Sequence, residues 1–132
     1  MIVLDTHALI WWVSGDDQLS ARARQSIEKE LAEGGQVVVS AITAWEIAML
    51  VARGRLALTM DIDDWLNTVE SIEGVSFNPV ERDVAVQSVR LPGEFHPDPA
   101  DRMIVALARH HAVPLVTADA KIHAYPHVKT LW

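Results

Sequence analysis

The sequence predicts an α/β fold of three layers, in which a central and mostly parallel sheet lies between helices on both faces. Short apolar runs, several of them β-branched, alternate with longer segments whose apolar residues recur at helical spacing. Glycine, proline and helix-capping residues separate the two kinds of segment. The chain of 132 residues is 50% hydrophobic, which suits one core and hence a single domain over residues 1–132.

Five apolar segments predict the strands in chain order. Residues 1–4 end abruptly at an aspartate, and residues 37–39 are three valines, as is typical of buried parallel strands. A weaker strand is predicted at residues 75–77, just before a proline. Residues 113–117 form another apolar and β-branched run, and residues 128–132 predict a short strand at the edge of the sheet.

Capping residues mark where the predicted helices begin. Ser20, Ser40 and Asp61 each carry a side-chain oxygen that can accept a hydrogen bond from the first helical turn. Pro99 suits the first position of a helix, because its missing N–H group has no partner there. Helices are therefore predicted, caps included, at about residues 6–13, 20–32, 40–51, from 61 onward, 80–89 and 99–111, with a loop at 91–97.

The composition excludes several classes of protein. No apolar stretch is long enough to span a bilayer, and no basic segment precedes the first apolar run, so we expect a cytoplasmic protein without membrane contact. The absence of cysteine excludes disulfides and thiolate metal sites. The formal net charge of −7 argues against non-specific wrapping of nucleic acid. It suits either a carboxylate cluster that binds cations or a surface that merely keeps the protein soluble.

Acidic residues follow the predicted strands at one edge of the sheet. Asp5 comes directly after the first strand, and Asp119 comes just after the strand at 113–117. Glu46 lies in the first two turns of the helix that follows the second strand, while Asp98 and Asp101 open the apolar helix at 99–111. Because ligand sites in parallel sheets lie beyond the carboxyl ends of the strands, we expect these side chains to converge.

Most of these acids also have a purely structural interpretation. Asp98 and Asp101 are what an ordinary helix start requires, and Asp119 could be a turn residue. Glu46 could be a solvated helix residue, although its neighbours are apolar. Asp5 is harder to explain in this way, because a charge at the end of a buried strand is costly without a partner.

Clustered carboxylates predict a site for a hard divalent cation. They repel one another when ionised, so they take up protons or bind cations. Oxygen ligands favour Mg²⁺ or Mn²⁺, and such ions promote hydrolysis of phosphodiester bonds. We expect most of these carboxylates to be metal ligands, directly or through water, while one of them could instead orient the attacking water.

Four sequence motifs contain or adjoin these acids. They are Val-Leu-Asp-Thr-His at 3–7, Ser-Ala-Ile-Thr-Ala-Trp-Glu-Ile-Ala at 40–48, His-Pro-Asp-Pro-Ala-Asp-Arg-Met-Ile-Val-Ala at 96–106 and Leu-Val-Thr-Ala-Asp at 115–119. In this order and spacing they resemble the motifs of the PIN-domain family and, within it, of VapC-type toxins. Their order and spacing extend over nearly the whole chain, from residue 3 to residue 119. One departure is minor: members of this subgroup often have Phe where Ala100 stands.

The resemblance implies a metal-dependent endoribonuclease that is the toxin of a toxin–antitoxin pair. Asp5, Glu46, Asp101 and Asp119 match the family's acidic quartet and would be both catalytic and metal-binding. Asp98 matches an extra acid that is common in this subgroup, and it is included among the metal ligands. The implied cofactor is Mg²⁺, with Mn²⁺ as a substitute, and the implied substrate is RNA.

Three further residues are predicted to bind substrate. Thr6 and Thr117 match positions at which the family carries small hydroxyl residues. Arg102 could contact an RNA phosphate or an antitoxin carboxylate, although a surface arginine paired with a nearby aspartate explains it as well. For His96, which precedes the acids in the loop, a structural or solvent-facing role is favoured over contact with substrate.

The resemblance also implies two protein partners. Family members form homodimers and are held inactive by a cognate antitoxin whose tail lies in a groove over the site. Trp11, Trp12, Trp45 and Trp65 fall in predicted helices and are expected to be mostly core. Adjacent Trp11 and Trp12 cannot share one helix face, so one of them could be exposed at an interface.

Other functions fit the sequence less well. A phosphatase with an aspartyl intermediate would use Asp5 as nucleophile and normally needs a second aspartate at position 7, where His7 stands. A receiver-type signalling domain needs an aspartate at the end of the middle strand and a well-placed lysine, but Asn78 and Lys121 do not meet these needs. A catalytically dead scaffold would not retain all four acids.

Overall fold

The computed structural model describes residues 1–132, and it confirms the predicted three-layer α/β architecture. Five strands, all parallel, form one sheet in the order β3-β2-β1-β4-β5. The elements are β1 (Ile2–Leu4), α1 (Thr6–Ser14), α2 (Ala21–Ala32), β2 (Val37–Ser40), α3 (Ala41–Ala52), α4 (Ile62–Glu70), β3 (Val75–Asn78), α5 (Arg82–Val89), α6 (Pro99–His111), β4 (Leu115–Val116), α7 (Ala120–His123) and β5 (Thr130–Leu131). None of the helices combines the length and hydropathy that a bilayer-crossing segment needs.

The order of the strands divides the helices between the two faces of the sheet. The chain moves outward from β1 through β2 to β3 and then returns to the other side of β1. Helices α1 to α4 pack on one face in an apolar cluster of 15 buried residues, and α5 to α7 pack on the other face in a cluster of 12. Connections between parallel strands are right-handed, so when the chain reverses its direction across the sheet, the connecting helices must move to the other face. The two strands at the reversal, β1 and β4, are therefore neighbours.

Alternation along the strands supplies both cores. Val37 and Val39 of β2 are buried in the first cluster, whereas Val38 between them is buried in the second. Successive side chains of a strand point to opposite faces, so a run of three valines serves two helical layers at once. This explains why the strands read as continuous apolar runs.

The predicted caps are present. Ser20 Oγ accepts a hydrogen bond from the Ala23 amide at 3.0 Å, and Ser40 Oγ accepts one from Ile42 at 3.2 Å. Asp61 likewise caps α4. Each cap satisfies an amide that has no partner inside its own helix.

The last third of the chain differs in detail from the prediction. The strand predicted at 113–117 is confined to Leu115–Val116, because Pro114 has no N–H to donate to a neighbouring strand. The final strand likewise shortens to Thr130–Leu131. Helix α7, of four residues, was not predicted, since so short a segment shows no helical periodicity.

Candidate active site

The five predicted acids meet at the carboxyl edge of the sheet. Asp5 immediately follows β1, and Asp119 follows β4, its neighbour at the reversal. Glu46 lies in the second turn of α3, which begins at the end of β2, while Asp98 and Asp101 stand at the start of α6. A reversal of strand order opens a crevice between adjacent loops, and ligands bind there in α/β proteins.

Asp5 is buried and held on both oxygens. Its Oδ1 accepts a hydrogen bond from the Ala8 amide at 2.8 Å, so the carboxylate is also the N-cap of α1. Its Oδ2 accepts a hydrogen bond from the Thr117 hydroxyl. The Asp119 amide donates to that same hydroxyl oxygen at 3.0 Å. Thr117 thus links the acid after β1 to the loop after β4.

Glu46 is oriented by two buried threonines. The Thr6 hydroxyl donates to Glu46 Oε1 at 2.6 Å and lies 3.0 Å from the Thr43 hydroxyl. Thr43 precedes Glu46 by three residues, which places both on one face of α3. Thr6 and Thr43 are 3% and 0% exposed, so this network fixes the carboxylate from the protein side.

The start of α6 presents the two remaining acids. Asp98 caps the helix, its Oδ1 accepting a hydrogen bond from the Asp101 amide at 3.1 Å. The Asp101 Oδ2 atom lies 3.1 Å from His96 Nε2. This nitrogen and carboxylate oxygens of Asp101 and Asp119 all lie within 4.8 Å of one another, a spacing at which they could hold a metal ion.

The carboxylates act on one another electrostatically. Burial and, in decreasing order, the charges of Asp98, Asp119, Glu46 and Asp5 together raise the pKa of Asp101 to about 7. Burial is also the main reason that the pKa values of Asp5 and Glu46 are raised. This repulsion between acids from four segments of the chain is consistent with one shared site, in which Asp101 and Asp119 are the two acids spaced, with His96, to share one ion.

This cluster lacks basic partners. No lysine or arginine lies within ion-pair distance of any of the five acids, and only the His96 ring does. Hydroxyls and helix-start amides hold the carboxylates in place but do not neutralise them. An oxygen-rich donor set with uncompensated charge fits a hard divalent cation, which supplies the missing positive charge.

Comparison with known proteins agrees with this geometry. The family model of the PIN domain matches residues 2–128. The chain belongs to the PIN-domain family. It is 35% identical over 134 residues to Ribonuclease VapC22 of Mycobacterium tuberculosis, with 99% of this chain and 98% of that protein covered. The resemblance to VapC-type members is thereby confirmed, and the phosphatase and receiver alternatives are set aside.

Solved structures share the fold over almost their full length. A toxin–antitoxin complex from Klebsiella pneumoniae aligns with a TM-score of 0.65 at 26% identity, covering 97% of this chain and 95% of that chain. VapBC2 from Rickettsia felis, bound to a promoter DNA fragment, aligns with a TM-score of 0.67 at 15% identity, covering 98% and 97%. Because its identity is only 15%, the second match supports the fold alone.

The three residues predicted to bind substrate have other contacts in this PIN domain. Thr6 and Thr117 are 3% and 0% exposed, and their hydroxyls donate to the carboxylates of Glu46 and Asp5. These contacts support a role in orienting the acids, and substrate binding by the two threonines stays a prediction. Which residues an RNA would touch could not be read from the sequence, because burial of a hydroxyl depends on what packs over it.

Arg102 likewise makes contacts within its own chain. Its Nε donates to the Ser88 carbonyl at 2.8 Å, and its Nη1 donates to the Phe95 and His96 carbonyls at 3.0 and 3.3 Å. The half-buried guanidinium thus ties the loop before α6 to the end of α5. These contacts support a role in holding that loop and give no support to the predicted contact with RNA.

Two residues at the site, Thr43 and His96, are not among the predicted site residues. Thr43 supports Thr6 from one turn before Glu46, and a threonine at that spacing was the available signal. The sequence favours a structural or solvent-facing role for His96, yet its Nε2 lies beside Asp101. Its position two residues before the helix cap was a signal, but only packing decides whether such a ring turns inward.

Proposed function

We propose that this PIN domain is a single-domain endoribonuclease, residues 1–132, that requires a divalent cation, with Mg²⁺ as its usual ion and Mn²⁺ as a substitute. The observation that carries the proposal is the convergence of five carboxylates from distant segments, without a lysine or arginine partner, at the reversal of strand order. A relative aligned over nearly its full length is a ribonuclease, which supports RNA as the substrate. A cytoplasmic location stays a prediction.

The ion would be held by Asp5, Glu46, Asp101 and Asp119. Asp98 uses one oxygen for its helix cap, so its contribution is the remaining oxygen, directly or through water. When bound, a divalent cation activates water and offsets charge on the scissile phosphate. These residue roles are proposals that rest on the convergence and charge of the side chains.

The chain prepares this site in two ways. Hydrogen bonds from Thr117 to Asp5 and from Thr6 to Glu46 fix two carboxylates in advance, so that little ordering is needed when a cation and substrate bind. Asp101, with a pKa of about 7, must lose its proton to bind a cation. Cation affinity and cleavage therefore both increase as the pH rises through 7.

An RNA-cleavage assay tests the function. Wild-type protein should cut RNA with Mg²⁺ or Mn²⁺ and stop in EDTA. Asp5→Asn and Glu46→Gln should lose at least about 100-fold in rate, as expected when a preorganised electrostatic contact is removed. Glu28→Gln, at an exposed position of α2, is the matched control and should be unaffected. Cleavage that persists in EDTA, or full activity of Asp5→Asn, would contradict the proposal.

We further propose that an antitoxin segment binds in the groove beside α1. This groove has a volume of about 920 Å³ and is lined by both apolar and polar side chains, among them His7, Trp11, Arg55 and Met60. The charge of His7 lowers the pKa values of Asp5 and Glu46, so His7 lies near these acids. An occupant of the groove would therefore lie next to the site. The structural match to a toxin–antitoxin complex supports this partner.

Co-expression with the product of the neighbouring gene tests the antitoxin proposal. The two proteins should co-purify, and cleavage by the complex should be suppressed. Arg55→Glu reverses the charge at the groove and should weaken the complex while leaving basal cleavage intact. Equal inhibition of Arg55→Glu and wild type would exclude this groove as the binding site.

A homodimer is proposed from the exposed apolar side chains. Val86 and Val89, three residues apart on α5, are 40% and 78% exposed, and Trp45 on α3 is 56% exposed. Large apolar side chains left in water favour association.

The exposed tryptophan is Trp45, contrary to the expectation of a core position, while Trp11 and Trp12 are both half-buried.

A further inference from the structure

His96 carries the one buried side-chain polar atom of the chain that lacks a hydrogen-bond partner, its Nε2. The side chain is 17% exposed, and its ring packs against Phe95 with centroids 4.4 Å apart. Leaving a buried polar atom unpaired costs about 1–3 kcal/mol, so native proteins rarely tolerate it without a reason. In this structure the unpaired atom faces the acids of the active site.

The direction in which the His96 Nε2 atom points is as informative as its distance from Asp101. Asp101 Oδ2 is only 3.1 Å from Nε2, yet the pair does not have hydrogen-bond geometry. The proton or lone pair on Nε2 lies in the ring plane, so it points beside that oxygen rather than at it. Ligands of one ion show this relation, because each lone pair points toward the ion and not toward a fellow ligand.

The spacing of the three donors agrees with a shared ion. At ligand bonds of about 2.1 Å, adjacent donors of an octahedral ion lie about 3 Å apart and opposite donors about 4.2 Å apart. His96 Nε2 lies 3.1 Å from Asp101 Oδ2, and all three donors, Asp119 included, lie within 4.8 Å of one another. Little movement would be needed to complete such a site.

The loop holds the ring in place. Arg102 donates to the carbonyls of Phe95 and His96, which fixes the peptide groups on both sides of the His96 Cα atom. Phe95 in turn packs against Tyr125, with centroids 4.7 Å apart. The position of Nε2 is therefore built by the fold, and its unpaired state is not explained by a mobile side chain.

We propose that His96 Nε2 is a direct ligand of the cation that Asp101 and Asp119 hold, and that it raises the affinity of the site for transition-metal ions such as Mn²⁺ more than its affinity for Mg²⁺. The inference rests on the proposed function and adds a nitrogen donor to its oxygen set. Imidazole is a borderline ligand that binds first-row transition metals, whereas Mg²⁺ binds oxygen. Ligation requires the neutral ring with its proton on Nδ1.

Pulsed EPR of bound Mn²⁺ tests the ligand directly. Full-length protein freed of metal with EDTA and then given one equivalent of Mn²⁺ should show coupling to a histidine nitrogen. The coupling should disappear in His96→Gln and in His96→Asn, and it should persist in His7→Gln. His7 is the matched control, because its charge also influences Asp5 and Glu46. Bound Mn²⁺ without nitrogen coupling in wild type would overturn the proposal.

Calorimetric titrations with Mn²⁺ and Mg²⁺ test the difference between the two ions. Loss of His96 should lower the affinity for Mn²⁺ about tenfold or more, as losses at metal-site residues do, and change the affinity for Mg²⁺ much less. Equal losses for both ions would overturn it. Failure of the proposed function would look different: Asp101→Asn would then leave Mn²⁺ binding and RNA cleavage unchanged, whatever the result for His96.

Discussion

Asp101→Asn should stabilise the metal-free protein while abolishing its response to metal. The carboxylate of Asp101 is repelled by four other acids and has no lysine or arginine beside it. Asparagine keeps the shape of the side chain and removes its charge. The substitution therefore relieves repulsion that the fold tolerates only because the site has to bind a cation.

The magnitude follows from proton linkage. The pKa of Asp101 is raised from 3.8 to about 7 in the folded protein. The folded state thus holds the proton more tightly than the unfolded chain, so the free energy of unfolding of the metal-free wild type falls as the pH rises from about 4 to about 7. Three pH units at about 1.4 kcal/mol each set an upper limit of about 4 kcal/mol. Because 23% of the side chain is exposed and the acids share protons, we expect about 1–2 kcal/mol.

Urea denaturation in EDTA measures this effect. At pH 8 the variant should be more stable than wild type by about 1–2 kcal/mol, and at pH 4 the two should be nearly equal. At 100 times its dissociation constant the metal should add about 2.7 kcal/mol to wild type and little to the variant. The order of stability therefore reverses when metal is added. A wild-type stability that does not change between pH 4 and 8, with no gain in the variant, would refute the reasoning.

Three further predictions concern the supports of the site and its surface. Thr117→Val should lower the free energy of unfolding by about 1–3 kcal/mol by leaving the buried Asp5 oxygen without its donor, and Thr117→Ser should restore most of it in urea denaturation; a fully stable valine variant would contradict this. Arg102→Lys should speed amide hydrogen exchange of residues 91–97, because an ammonium cannot reproduce the forked contacts with three carbonyls; unchanged exchange would exclude its role in the loop. Val89→Asp should dissociate the proposed homodimer in light-scattering measurements and change the free energy of unfolding by less than about 0.5 kcal/mol, because the side chain is 78% exposed; a dimer that persists would place the interface elsewhere.

The convergence of the acids could be predicted because it follows from local signals. Asp5 stands where an apolar run ends, and Asp119 stands just beyond the next strand at the reversal. Strand ends and helix starts are marked by short-range chemistry, and parallel strands deliver their carboxyl ends to one edge. Knowing where the strands end was therefore enough to place carboxylates from distant segments together.

The surroundings of the acids could not be predicted in the same way. Helix α3 is apolar nearly all round, so nothing in its sequence shows that Trp45 faces solvent while Ile47 is fully buried. The sequence likewise does not show which way the side chains of Thr117, after a strand, and His96, in a loop, are turned. Whether a side chain turns toward a site depends on packing from distant segments, such as Tyr125 against Phe95.

The same residues that begin helices also form the site, and this double use explains how the cluster is tolerated. Asp5 caps α1 and Asp98 caps α6, so two helix N-termini, with their partial positive charge, point at the acids. These amides stabilise part of the negative charge without any lysine or arginine, which would compete with a cation for the carboxylates. Asparagine caps a helix about as well as aspartate does. Asp-to-Asn changes at these positions therefore separate the loss of charge from the loss of fold, whereas Asp-to-Ala changes confuse the two.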